Sequence, residues 1–388
     1  MSPLFPAIFI GGPPHAGKST LLYRLSHALR QEGLEHYALR ASPDGEGDWS
    51  LEAPKAMVRE LRLSTKGLWS DHFTERISRD IDQRHLPLLV DAGGQISPEN
   101  EQIVSACTHG LLLVKQPNDF ARWRDLLARQ GRPIIAELYS TQEAVQQIDD
   151  TGPVLRGTIC GLGHGLSSDG VCFDAVLERL KPYFDYNPEQ LYHMHARLAN
   201  VDLVLHLGRA LPPLSAHNGK NKWQPEELPI LLATLPSTEP LALYGRGPAW
   251  LSGAIAAFTV SPPKLFHALT GWVILPELQL TTTADNERLR WEQVEERTDA
   301  TYLRFAIPQN YLDHEDAHNL PVPQINPKQG IILSGKLPIW LYAALARTYR
   351  ENAWIAIFQP QEGNVIVWSR IDSLQVGDLY NNPPDKVS

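Results

Sequence analysis

The sequence predicts an α/β domain with a parallel sheet over residues 1–188, followed by two tandem α+β repeats over 191–277 and 278–388. Three observations predict it. A glycine-rich turn joins a strand-like run to a helix-like run near the N-terminus, and strand and helix patterns then alternate to about residue 188. Two segments of the second half, finally, look alike when laid side by side. A chain of 388 residues also exceeds the roughly 250–300 that one core supports, so division is expected.

The first element is the run Pro6 to Ile10, read as a buried strand. It leads directly into Gly12-Pro-Pro-His15-Ala16-Gly17-Lys18-Ser19 and the amphipathic pattern that starts at Thr20. G-x-x-x-x-G-K-S between a strand and a helix is the phosphate-binding loop, or P-loop. Its glycines let the backbone curl so that successive amides face phosphate oxygens, and the helix N-terminus adds a positive dipole end. Lys18 then reaches the β- and γ-phosphates, and the Ser19 hydroxyl supplies a hard oxygen to Mg²⁺. Gly12, His15, Ala16, Gly17, Lys18, Ser19 and Thr20 are the expected nucleotide contacts, with ATP and Mg²⁺ as the ligands.

A second strand of the same layer, Leu86 to Val90, ends at Asp91-Ala-Gly-Gly94. A carboxylate at that tip is placed to share the metal with Ser19, so Lys18 and Asp91 are the candidate catalytic residues, and Ser19 and Asp91 the metal ligands. The alternative for Asp91 is a turn cap. Further strands are expected at Gly110–Val114 and Pro133–Leu138, with helices near Pro98–Cys107 and Phe120–Arg129. This half of the chain resembles P-loop kinases and related small ATPases. Lys115-Gln-Pro-Asn-Asp119 stands where a guanine signature would be sought, which favours adenine. Asp44 and Asp48, after the strand Tyr37–Arg40, are either acceptor-side acids and bases or an acidic turn.

In the repeat region, Leu203-Val-Leu-His-Leu-Gly leads through a loop to Leu241-Ala-Leu-Tyr-Gly245-Arg246-Gly247-Pro248-Ala-Trp250-Leu251 and a helix over Ser252–Phe258. Tyr302-Leu-Arg-Phe-Ala leads in the same way to Ile331-Ile-Leu-Ser-Gly335-Lys336-Leu337-Pro338-Ile-Trp340-Leu341 and a helix over Tyr342–Tyr349. Each copy closes with two strands, Lys264–His267 and Gly271–Leu275 or Trp354–Phe358 and Asn364–Trp368. The shared joint is strand, glycine turn, basic residue, proline, tryptophan, helix. Gly245, Arg246, Gly247, Gly335 and Lys336 present a helix N-terminus and a cation, a place for a phosphate or simply a packing joint. Two copies are expected to pair about a pseudo-two-fold axis.

The second copy, and more faintly the first, resembles the small ring nucleases associated with type III CRISPR interference. The resemblance is carried by Gly330 through Leu341, Leu345-Ala346, Tyr349, Ala356, Pro360, Gly363, Val365-Ile-Val367 and Gly377-Asp378, over Asp299 to Asp378. It implies binding of cyclic tetra-adenylate between paired domains and its cleavage, in some members with Mn²⁺. The catalytic histidine of that family falls on Arg350, and its Asp-Pro-Arg on Gln359-Pro360-Gln361. Neither arginine nor glutamine shuttles protons near neutral pH, so binding without cutting is expected. A kinase acting on a small acceptor, with the repeats as a dimerisation scaffold, is the alternative.

Charge restricts the partners. With 35 basic against 44 acidic side chains the net charge is −9, which disfavours sequence-blind coating of DNA or RNA. No run reaches the roughly 20 apolar residues of a spanning helix, and no leader-like start is present, so no membrane and a cytoplasmic location are expected. Cys107, Cys160 and Cys172 form no close pair and read as buried thiols. Asp313-His314-Glu315-Asp316-Ala-His318 is either a metal-binding group or a solvated acidic loop, and the loop is expected. His193 and His195 are assigned no site. A homo-oligomer is expected.

Overall fold

The computed structural model describes residues 5–41, 71–163, 169–210, 222–282, 286–296, 299–308 and 311–380. Asp44 and Asp48 lie outside them. The chain divides into two compact units, Met1–Leu191 with Ala268–Gly271, and Tyr192–His267 with Trp272–Ser388.

The first unit is a mixed α/β layer structure. Its elements in chain order are β1 (Ala7–Gly11), α1 (Lys18–Gln31), β2 (Tyr37–Ala41), α2 (Asp71–Gln83), β3 (Leu88–Ala92), α3 (Pro98–Ala106), β4 (His109–Val114), α4 (Asp119–Arg129), β5 (Ile134–Ser140), β6 (Gln147–Asp150), β7 (Leu155–Ile159) and α5 (Val171–Leu180). Helix α6 (Pro188–Leu198) follows and holds the boundary between the units.

The seven strands lie in the order β2-β3-β1-β4-β5-β7-β6. All the pairings are parallel except that of β6 with β7. Strands β1 and β3 are buried at every position, as strands covered on both faces must be, and hence read as unbroken apolar runs. Leu21, Leu22, Leu25 and Leu29 form the buried stripe of α1 and pack with Ile8, Ile10, Leu111 and Leu113 of the sheet. Helix α3 starts where Ser97 accepts the Asn100 amide, with Pro98 in the first turn, a position where the missing N–H costs nothing. The order places β1 between β3 and β4, so the loops after β1 and β3 leave the same sheet edge, where open α/β sheets bind ligands.

In the second unit, β8 (Leu203–His206), α7 (Leu228–Thr234), β9 (Leu241–Tyr244), α8 (Ala249–Phe258), β10 (Lys264–His267) and β11 (Gly271–Ile274) give a sheet of order β11-β10-β9-β8. After β12 (Gln279–Thr281) come β13 (Arg290–Glu296), β14 (Ala300–Ala306), β15 (Pro321–Pro323), β16 (Gly330–Gly335), α9 (Ile339–Thr348), β17 (Trp354–Gln359) and β18 (Gly363–Ser369). They give a sheet of order β13-β14-β16-β17-β18 and a small parallel pair, β12 with β15.

The same register occurs in both sheets. Leu243 on β9 lies opposite Leu205 on β8 and Leu265 on β10, and Leu333 on β16 lies opposite Leu303 on β14 and Ile357 on β17. Two residues beyond Leu243 and Leu333 stand Gly245 and Gly335, with φ of 94° and 137°. Helices α8 and α9 share one core with both sheets, in which Trp250, Ile255, Leu341, Leu345 and Ile357 meet. Gly253 permits the approach: a methyl group there would run into Ile357.

Three sequence expectations need correction. Both repeat helices begin three residues earlier than expected, at Ala249 and Ile339, because Pro248 and Pro338 are N-caps with extended ψ of 157° and 150° rather than members of the first turn. Asp91 lies within β3, not beyond it. The segment expected as a solvated loop holds a turn of 3₁₀ helix, Glu315–Ala317. There the buried Asp313 accepts the Glu315 amide at 3.1 Å and pairs with His314 at 3.1 Å.

Candidate functional site

Backbone geometry comes first in the loop after β1. Gly12 has φ of 147°, and a side chain on it would enter the Leu113 carbonyl oxygen of β4, so the chain turns there only without a Cβ. Gly17, φ 100°, is the N-cap of α1 and packs against Leu162. His15 is exposed at φ 62°, an unusual conformation for a residue with a side chain. Gly94, after β3, comes so close to Pro14 that a Cβ on it would lie 2.5 Å from the Pro14 nitrogen. Asn100 fixes that second loop by donating to the Gly93 carbonyl at 3.2 Å and to that of Gln95.

These turns bring three of the sequence-predicted residues together. The Ser19 hydroxyl, in the first turn of α1, donates to Oδ2 of Asp91 at 2.5 Å. Lys18 is buried and its ammonium donates to the Pro13 carbonyl at 3.1 Å. Burial pushes the Lys18 pKa down, and the Asp91 carboxylate raises it in part. Ala16 is buried, Gly12 is buried, and Thr20 is half-buried on α1. Asp91 also faces Arg40 of β2, whose Nε stands 3.9 Å from the same Oδ2. Arg40 was visible in the sequence only as the end of a strand. Nothing in a single chain marks it as a neighbour of Asp91 before the order β2-β3-β1 is known.

The hard-oxygen pair Ser19 and Asp91 suits Mg²⁺, which takes few protein ligands and completes its octahedron with phosphate oxygens and water. Among the described residues, no group of three or more His, Cys, Asp or Glu is placed to hold a metal on its own. Burial pushes the Cys107 thiol up to about 12 and the Cys172 thiol up to about 11, so neither is a nucleophile near neutral pH. Cys160 is half-buried.

In the second unit, Gly245, Arg246, Gly247, Gly335 and Lys336 occupy two equivalent turns between a strand end and a helix N-terminus. Gly245, Arg246 and Gly335 are exposed, while Gly247 and Lys336 are half-buried. Arg350, at the end of α9, has a different role. Its guanidinium lies 5.4 Å above the Trp368 ring and donates to the Thr259 carbonyl at 3.4 Å, while Trp368 Nε1 donates to the Arg350 carbonyl. Arg347 donates to the carbonyls of Ala256, Thr259 and Val260 at 2.7–2.9 Å. Both arginines therefore cap the C-terminus of α8, whose last carbonyls lack helical partners. Gln359 and Gln361 bond to one another at 3.4 Å.

His195, assigned no site, is fully buried against Phe266 and within 3.1 Å of the Tyr244 hydroxyl. His193 is exposed. Among the described residues no helix is long and apolar enough to cross a membrane.

Comparison with known proteins gives three results. Residues 306–381 match the family model described as CRISPR-associated protein, Cas_csx3. An uncharacterized protein of Aquifex aeolicus (strain VF5) is 29% identical over 99 residues, which is 24% of this chain and 89% of that protein. The crystal structure of APE1195 is similar over 35% of this chain at 16% identity, with a TM-score of 0.19. The match spans 62% of that structure's length. The C-terminal part of this chain, at residues 306–381, thus carries a CRISPR-associated domain.

Proposed function

We propose that the first unit binds ATP with Mg²⁺ on the loop Gly12–Ser19, and that the second binds cyclic tetra-adenylate at the turns Gly245–Gly247 and Gly335–Lys336 without cutting it. The observation that carries the first half is the 2.5 Å contact of Ser19 and Asp91 with buried Lys18 next to it. A lysine kept in a site that depresses its pKa is disfavoured unless an anion arrives to balance it. Amides at the N-terminus of α1 face the same anion. Ser19 and Asp91 would hold the metal, and Lys18 and the loop amides the phosphates. The metal supplies charge neutralisation to the phosphates when bound.

Support for the second half comes from the equivalent register of the two turns, each with a cation at a helix N-terminus, and from the CRISPR-associated match. Arg350 is engaged in capping, and Gln359 and Gln361 in a bond to one another, which favours binding over hydrolysis. In this reading ring binding and ATP binding are coupled through a difference in affinity between two states, and the assembly is a homo-oligomer. Mn²⁺ is an alternative metal.

The test uses labelled cyclic tetra-adenylate and ATP on wild type, Lys18→Ala, Arg246→Ala and Lys336→Ala. Wild type is expected to bind both and return the ring intact, Lys18→Ala to lose ATP, and the two turn variants to lose the ring. ADP release that requires an added acceptor would replace this reading with a kinase. Linear oligoadenylate among the products would overturn binding without cutting.

A further inference from the structure

Asn100 is buried in the first turn of α3, 1% exposed, and its carboxamide is directed at the loop that leaves β3. It donates to the Gly93 carbonyl at 3.2 Å and to the Gln95 carbonyl, while its backbone amide donates to the Ser97 hydroxyl at 3.4 Å. Its Oδ1 is buried and, among the described residues, meets no donor. A buried carboxamide with one end unpaired costs stability that packing alone does not return, so the two donated bonds call for a purpose beyond filling the core.

The loop held in this way touches the phosphate loop at two places. Asp91 accepts the Ser19 hydroxyl at 2.5 Å. Three residues on, Gly94 lies so close to Pro14 that a Cβ on it would stand 2.5 Å from the Pro14 nitrogen. The neighbouring Pro13 carbonyl accepts from the Lys18 ammonium at 3.1 Å. A lysine in such a loop reaches the β- and γ-phosphates, and the metal bridges the same two. On the nucleotide reading above, Gly93–Gln95 therefore stands at the end of the site where ATP and ADP differ. A trans peptide holds its C=O and N–H on opposite sides, so the bond to the Gly93 carbonyl also turns the Gly94 N–H away from Asn100.

We propose that Asn100 is a positioning residue for the terminal phosphate: it holds Gly93–Gln95 against Pro14, and that hold makes the site prefer ATP to ADP. The inference rests on the nucleotide reading. A loop fixed before the ligand arrives has no ordering cost left to meet at the binding step, so it gains affinity for the group it faces.

The rival account gives Asn100 only the start of α3 to hold. Its loss then lowers the melting temperature and changes the affinities for ATP and ADP alike. If Asn100 serves the terminal phosphate, ATP affinity falls and ADP affinity stays, because ADP lacks the group that the loop meets.

Calorimetry on the full chain with Mg²⁺ measures the affinities of wild type, Asn100→Ala and Gly94→Ala for ATP and for ADP, beside the melting temperature of each. The methyl group of Gly94→Ala meets the Pro14 backbone, so it perturbs the same contact from the other side. Both variants are expected to lose about fivefold or more in ATP affinity and to stay within about twofold of wild type for ADP. Should Asn100→Ala fail to fold, Gly94→Ala decides by the same ratio. Equal loss of both nucleotides, or loss of neither, would overturn this inference alone, whichever way the melting temperature moves. No ATP binding by wild type would overturn the nucleotide reading and this inference with it.

Discussion

Ser19 and Asp91 are 72 residues apart in sequence and 2.5 Å apart in space. The contact joins the first turn of α1 to the end of β3, and it exists because β3 lies directly beside β1 in the sheet. If this pair serves a divalent ion, Asp91→Asn should retain ATP binding in chelator and lose most of the gain that Mg²⁺ confers. Titrating Mg²⁺ into the ATP complex of each protein checks it, and an unchanged half-saturation would remove Asp91 from the metal site.

Lys18 gives a pH signature. Its folded pKa is lowered from 10.5, chiefly by burial. Between the folded value and 10.5 the unfolded chain binds more protons, so the stability contribution of Lys18 rises with pH across that window and is least favourable below it. Lys18→Met removes the buried charge. Without nucleotide it should therefore melt at or above wild type at pH 7, with the difference shrinking as pH climbs toward 10. Melting curves across that range decide it, since a difference that grows with pH has the wrong sign.

Gly12 and Gly33 both have positive φ, 147° and 75°, yet their surroundings differ. A methyl group on Gly12 collides with the Leu113 backbone, whereas nothing lies within 4 Å of one on Gly33. Gly33→Ala should cost about 1 kcal/mol, the penalty of the left-handed conformation. Gly12→Ala should cost about 3 kcal/mol or more, because backbone must move. Denaturant unfolding of the two variants compares them directly, and equal losses would refute the packing argument.

Arg347 joins the two halves of the second unit by three hydrogen bonds to the end of α8. Its loss leaves those carbonyls without a cap, and Arg347→Ala should destabilise by about 2–3 kcal/mol. Arg350→Ala, which removes one bond of 3.4 Å, should lose less. The reverse order in urea unfolding would show that the Trp368 stacking dominates.

Much of this was legible in the sequence because it is local. G-x-x-x-x-G-K-S fixes a turn, a helix start and a lysine within eight residues, and the apolar runs of β1, β3 and β4 report strands buried on both faces. The repeat showed itself because the same turn, Gly-[Arg/Lys]-x-Pro-x-Trp, meets the same demand twice. Helices α2 and α5 had no such punctuation and were not foreseen. Nor was β13, a strand that pairs with β14 at the sheet edge.

By itself the sequence determined the turn and helix start at Gly12–Ser19, the alternation of strands and helices and the doubled joint of the second half, since each depends on residues close together in the chain. The tertiary structure alone decided that Asp91 meets Ser19, that Arg40 stands beside Asp91, and that Arg347 and Arg350 cap another helix. Those neighbours follow from strand order and helix packing, and pairings across dozens of residues leave no periodic trace in a single chain.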